Sequence, residues 1–194
     1  MGIFLSLVVV ALSLIPRINT NLLSTSDVKD TDPLAKEFTF FEEQVSYVKP
    51  FEFEIRAKGP LNVALLKQLE AVEGFLLKEG KFGTFQSILF QLRYANYLLY
   101  QRKMEYFTLP QTEASLQFLL RGIWQMEVPL FYKEASRSYY FAGKIKDEGS
   151  VEMEKLELRL RQHLEQKFSF EVLFTGFGHV LDQSNISTRK EISS

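Results

Sequence analysis

The chain has two histidines, His163 and His179, and no cysteine among its 194 residues. The missing thiols exclude disulfides, thiolate nucleophiles and zinc–sulfur centres. His163 lies in Arg161-Gln162-His163-Leu164-Glu165, on the charged side of an amphipathic segment. An imidazole there could shuttle a proton or bind a metal, but the pattern favours a solvated surface histidine. His179 follows Gly176-Phe177-Gly178. A Gly-x-Gly opening a helix can cradle an anion on its free amides. The dinucleotide fingerprint needs a third glycine, and Leu181 stands there, so a tight strand-to-helix turn is favoured. Glu42 and Glu43 are expected early in a helix and Glu52 and Glu54 on the polar face of a strand, so no pair of carboxylates is seen to face across a cleft as glycoside hydrolysis requires. No nucleophile-elbow pattern supports a Ser-His-Asp site. The expectation is a protein that is not an enzyme, with no catalytic residue, no metal and no cofactor.

Aromatic density is the stronger signal, with eighteen Phe and eight Tyr. Tyr94, Tyr97, Tyr100, Tyr106 and Phe107 form one cluster, and Phe131, Tyr132, Tyr139, Tyr140 and Phe141 another. Core and domain–domain packing is the plainer use of such residues. The functional use is an apolar groove that passes amphiphiles, and Tyr94, Tyr97, Tyr100, Phe131, Tyr139 and Phe141 are the candidate lining of that path. A net charge of −1 argues against a nucleic-acid partner, which demands a basic stripe. Asn185-Ile186-Ser187 matches a glycosylation sequon, a pattern too short to carry weight.

These residues hang on a readable series of elements. Asp32-Pro33 predicts a helix start, with Leu34, Phe38, Phe41 and Val45 along one apolar face. Residues 50–57 alternate, with Phe51, Phe53 and Ile55 to one side and Glu52, Glu54 and Arg56 to the other, which predicts a half-buried strand. Asn62 caps a helix carrying Leu65, Leu69, Val72 and Leu76, which Gly80 and Gly83 stop, and a weaker strand follows near 82–86. Ser87 opens a helix with Ile88, Leu92, Ala95 and Leu99 in register, and Thr112 opens another through Leu116, Leu119, Leu120, Ile123 and Trp124, ended by Pro129. Residues 138–145 read as a strand, Gly149-Ser150 as the start of a helix with Met153, Leu156, Leu160 and Leu164 inward, and 168–174 as a last strand. Two strand–helix–strand units in series, with a helical pair inserted between them, predict an α+β fold: a ferredoxin-like sandwich with helices on one face of a mixed sheet.

Ahead of this lies an uncharged apolar run, Gly2 to Ile15. It admits a membrane helix over 1–18, a signal peptide or a buried core helix, and its length and all-round apolarity favour the first. No basic residue precedes the run and no small-residue cleavage pattern follows it. Arg17 falls on the presumed outer side, against the usual charge bias. Residues 19–31 read as a linker, 32–178 as the main domain, and 179–194 as the beginning of a helix.

Taken in order, the apolar segment leading into Ile18-Asn19-Thr20-Asn21, then Phe40-Phe41-Glu42-Glu43, Lys49-Pro50-Phe51-Glu52-Phe53-Glu54-Ile55, Leu109-Pro110 before a helix, and Phe174-Thr175-Gly176 before a helix containing Asn185 resemble one family. It is the RND-superfamily exporters, and within them the MMPL-like branch. The resemblance covers the first membrane helix and the first periplasmic porter domain. It implies transport by alternating access, driven by proton movement in further membrane helices, of hydrophobic or lipid-like substrates. It implies as partners those remaining membrane helices, a second porter domain, the lipid bilayer and an amphipathic substrate, and as location a bacterial inner membrane with the domain in the periplasm. It also implies a second membrane span, which would begin where the sequence stops at Ser194. The alternative is a stand-alone, membrane-tethered or secreted module that binds a lipid or a partner protein.

Overall fold

The computed structural model describes residues 32–44, 47–79, 82–125 and 131–193. The expected membrane helix over 1–18 and the linker over 19–31 lie outside them. Among the described residues no helix is long and apolar enough to cross a membrane.

The elements in chain order are α1 (Pro33–Gln44), β1 (Lys49–Arg56), α2 (Val63–Lys78), β2 (Phe82–Gln86), α3 (Ile88–Leu99), α4 (Glu113–Trp124), β3 (Tyr132–Lys133), β4 (Ser138–Ile145), α5 (Ser150–Phe168), β5 (Glu171–Thr175) and α6 (Gly176–Ser193). A single 3-10 turn, Met104–Tyr106, lies between α3 and α4. The fold is α+β. Its sheet runs β2-β4-β1-β5, with the short β3 paired to β4. Every pairing is antiparallel, so the mixed sheet expected from the sequence is corrected. The physical reason is the order: each helix crosses over one strand position, and the vacant position is filled by a strand of the opposite direction.

Capping follows the sequence signals. Asn62, Ser87 and Thr112 are extended residues whose side chains accept from the amides of Leu65, Phe90 and Ser115. Asp32 accepts from the amide of Leu34 at 2.9 Å. The core forms where the inward faces meet. Phe51, Phe53 and Ile55 of β1, Phe141 and Ile145 of β4, and Val172 and Phe174 of β5 pack against Leu66, Leu69, Val72 and Leu76 of α2 and Met153, Leu156, Leu160 and Leu164 of α5. Phe53 and Phe141, opposite each other in register, stack with centroids 4.9 Å apart.

Several expectations give way to packing. Leu34 and Phe41, two members of the predicted apolar face of α1, are exposed; the side chain of Phe38 and residue Val45 lie outside the described residues. Glu42 sits in the last turn of α1, where the sequence had suggested an early position. Leu99 and Trp124 fall outside the buried stripes of their helices. The helix α5 continues through Phe168 and ends on Ser169 in a left-handed conformation, which pushes the start of β5 to Glu171. The helix α6 starts directly at Gly176, with no residue between it and β5.

Candidate functional site

The six aromatic residues proposed from the sequence as a path lining do not form one surface. Tyr139 and Phe141 are fully buried, and Tyr139 stacks on Tyr132 with centroids 4.9 Å apart. Their strand positions place them on the inward face of β4, so they serve the core. Phe131 is half-buried at the sheet edge, beside a shallow pocket of about 320 Å³ lined also by Phe141, Glu52, Lys133, Tyr140 and Thr175, so two of the six candidates meet there. Tyr94 and Tyr97 stack at 6.1 Å on the outer side of α3, in a group with Phe90 and Phe107. Tyr100 stacks on Tyr106 at 4.3 Å just beyond that helix.

Beside the α3 aromatics lies a feature the sequence did not single out. A groove of about 530 Å³ runs between α3 and α4, walled by Leu98, Leu99, Phe118 and Leu119 with Arg121 and Gln125 at its margin. Leu99 is 50% exposed and Phe118 60% exposed. The available signal was Phe118, which stands off the Leu116, Leu119, Leu120 and Ile123 stripe of its helix; Leu99 lies in register with Ile88, Leu92 and Ala95, and only the fold shows it exposed.

The two histidines occupy more structured places than solvent. His163 is half-buried and stacks on Phe75 of α2, centroids 4.1 Å apart and 12° from parallel, which corrects the surface placement. His179 pairs through Nδ1 with Glu157 Oε1 at 2.8 Å. The two glycines before it answer to packing. Gly176 has a φ of +84°, and a Cβ there would lie 2.7 Å from Glu52 Oε2. A Cβ on Gly178 would overlap the carbonyl oxygen of Pro50. Close approach of α6 to β1 therefore requires the Gly-x-Gly pair.

Around His179 is the main concentration of titratable groups in the described residues. Lys49 opens β1 with its ammonium buried and donates to Asp182 Oδ1 at 2.8 Å and Asp147 Oδ1 at 3.2 Å. Asp147 Oδ1 also accepts from the amide of Gly149, and the amide of Asp147 donates to Glu42 Oε1 at the end of α1. Asp182 Oδ2 is buried with no hydrogen-bond partner. Burial holds the Asp182 carboxyl above the ordinary carboxylate range, against the pull of Lys49. Burial likewise raises Glu157, against the hydrogen bond and charge of His179. This junction ties α1, β1, the loop before α5, α5 and α6 together at one end of the domain.

Sequence parity held the clue to it. Lys49 shares the inward parity of Phe51, Phe53 and Ile55, and Glu157 lies four residues after Met153 and three before Leu160. Charge masked the clue, since lysine and glutamate at such positions are usually solvated. On the outer face of the sheet a further buried carboxyl, Glu54, accepts from Ser138 Oγ at 2.6 Å and Arg56 Nε at 2.7 Å. Burial raises it, but these bonds and the Arg56 charge outweigh that and leave it below the ordinary range.

Among the described residues no group of three or more His, Asp or Glu is arranged to hold a metal ion. The junction can exchange protons and fix helices, and the groove can take apolar surface. No known family model, curated protein or solved structure matches the chain.

Proposed function

We propose that the chain is a porter-like domain of an RND-type exporter resembling the MMPL-like branch, with a ferredoxin-like sandwich as its fold, and that it handles hydrophobic or lipid-like substrates. The strand order β2-β4-β1-β5, antiparallel throughout and built from two strand–helix–strand halves with α3 and α4 inserted between them, carries this reading. It supports the domain type that the order of sequence motifs implies. The open groove on the inserted pair supports an apolar cargo, because Leu99 and Phe118 stand exposed together along its apolar wall, a grouping that favours docking of apolar surface. On this reading the domain does no covalent chemistry. It contributes shape and apolar surface to a route in the bacterial periplasm, beside further membrane helices and a second porter domain.

The test is genetic and then local. Cells lacking the encoding gene are expected to accumulate apolar dyes and to change their envelope lipids, and a gene carrying Leu99→Asp and Phe118→Asp should fail to restore export at unchanged protein abundance. Unaltered dye accumulation and lipid composition in the deletion strain would sink the exporter. A stand-alone binding module remains the second reading, because the groove is built within one domain. Tight binding of a fluorescent fatty acid by the purified full chain, with no export defect in the deletion strain, would select it.

A further inference from the structure

The helix α6 meets β1 and α5 through charged as well as apolar side chains. In its first three turns the buried residues are Gly178, Asp182 and Ile186, while Phe177 and Val180 face outward. His179, Asp182 and Ile186 recur at three and four residues and so share one face. That face meets Lys49 from β1, Asp147 from the loop before α5, and Glu157 and Arg161 from α5, with Glu42 of α1 behind Asp147. Lys49 is divided between Asp147 and Asp182. Arg161 donates to the carbonyl oxygen of Val172 and keeps its side chain 41% exposed. The hydrogen-bond partner of Glu157 is therefore an imidazole, a group that is cationic or neutral according to pH.

We propose that docking of α6 onto β1 and α5 takes up a proton into this junction, so that the helix closes in mildly acidic surroundings and loosens as pH rises. With α6 away, the side chains of Glu157, His179 and Asp182 are solvated. With α6 docked, an ionised Glu157 beside a neutral imidazole is a buried charge with no hydrogen-bonded counter-charge, and Asp182 carries a buried oxygen with no protein hydrogen-bond partner. A proton on His179 turns the contact into an ion pair, and a proton on either carboxyl removes a buried charge. Each stabilises the docked state and leaves the undocked state nearly unchanged. The raised Glu157 and Asp182 carboxyls point the same way: a group whose docked form holds its proton more tightly favours docking as pH falls. Because Asp182 shares Lys49 with Asp147, and the Asp147 amide donates to Glu42, the same proton also bears on how α1 and α6 are held together. The coupling belongs to the domain and stands apart from the exporter reading.

The chain has no native cysteine, so the full-length protein can be labelled at Gln162→Cys on α5 and Gln183→Cys on α6, both exposed, and the spin–spin distance distribution followed with pH. The docked-to-undocked ratio is expected to rise by up to about tenfold per pH unit on acidification between about pH 8 and pH 5. Combining Glu157→Gln with His179→Gln should flatten that slope. A ratio constant over this range, a ratio that falls on acidification, or an undiminished slope in the double variant overturns the proposal. If the double variant does not fold, the wild-type series alone decides, since a flat or reversed series is already fatal.

Discussion

Lys49 and Asp182 are 133 residues apart in the chain and 2.8 Å apart in the fold, both with buried side chains. The first residue of the first long strand is thus fastened to the second turn of the last helix. Such a pair stabilises little relative to apolar residues, but breaking it is costly, because the surviving charge stays buried.

The first expectation concerns that asymmetry. Lys49→Met leaves Asp147 and Asp182 facing each other without their shared cation and should destabilise the protein by about 3–5 kcal/mol. Combining it with Asp182→Leu should recover part of the loss. Denaturant midpoints of the single and double variants measure both effects; strictly additive losses would mean that the two side chains are not coupled.

Glycines supply a second contrast. Gly178→Ala drives a methyl group into the backbone of Pro50 and must displace the start of α6, so a clear loss of stability is expected. Gly74, in the middle of α2, has open space where a Cβ would go. Gly74→Ala should therefore stabilise by about 0.5–1 kcal/mol through helix propensity. Thermal unfolding of the two variants should move in opposite directions.

Glu54 sets a pH dependence of known sign. Its carboxyl is held below the ordinary value of 4.5 in the folded protein. The stabilisation is therefore complete above the unfolded value and is lost as pH falls through the folded one. Glu54→Gln should be less stable than the native chain at neutral pH, and the difference should shrink on acidification to about pH 3. A difference that persists unchanged in acid would assign the effect to packing.

The candidate aromatics divide by burial, and truncation should expose the division. Phe141→Ala removes a ring stacked on Phe53 and should cost about 3–5 kcal/mol. Tyr94 is 46% exposed, and Tyr94→Ala should change stability by less than about 1 kcal/mol. If Tyr94 serves substrate passage, its loss would appear in transport and leave the midpoint nearly untouched.

Local pattern alone determined most elements of this protein. The alternation of Phe51, Phe53 and Ile55, the caps at Asn62, Ser87 and Thr112, and the periodic leucines of α2 and α5 are short-range signals, because strand parity and helical turn are set within a few residues. The α+β class followed from their order. What the tertiary structure decided is everything that joins distant segments. Tyr139 and Tyr94 are the same residue type in similar aromatic runs, yet one is sealed under the sheet and the other faces out, since burial depends on what packs against a position. Lys49, Glu157 and Asp182 look like ordinary surface charges until β1, α5 and α6 converge and enclose them. The glycines before His179 offered an anion cradle by their spacing, but in the fold Gly176 answers to its positive φ and Gly178 to the close approach of Pro50. Charge, ring type and spacing are written in the chain, while desolvation and close approach come into being only when remote elements meet.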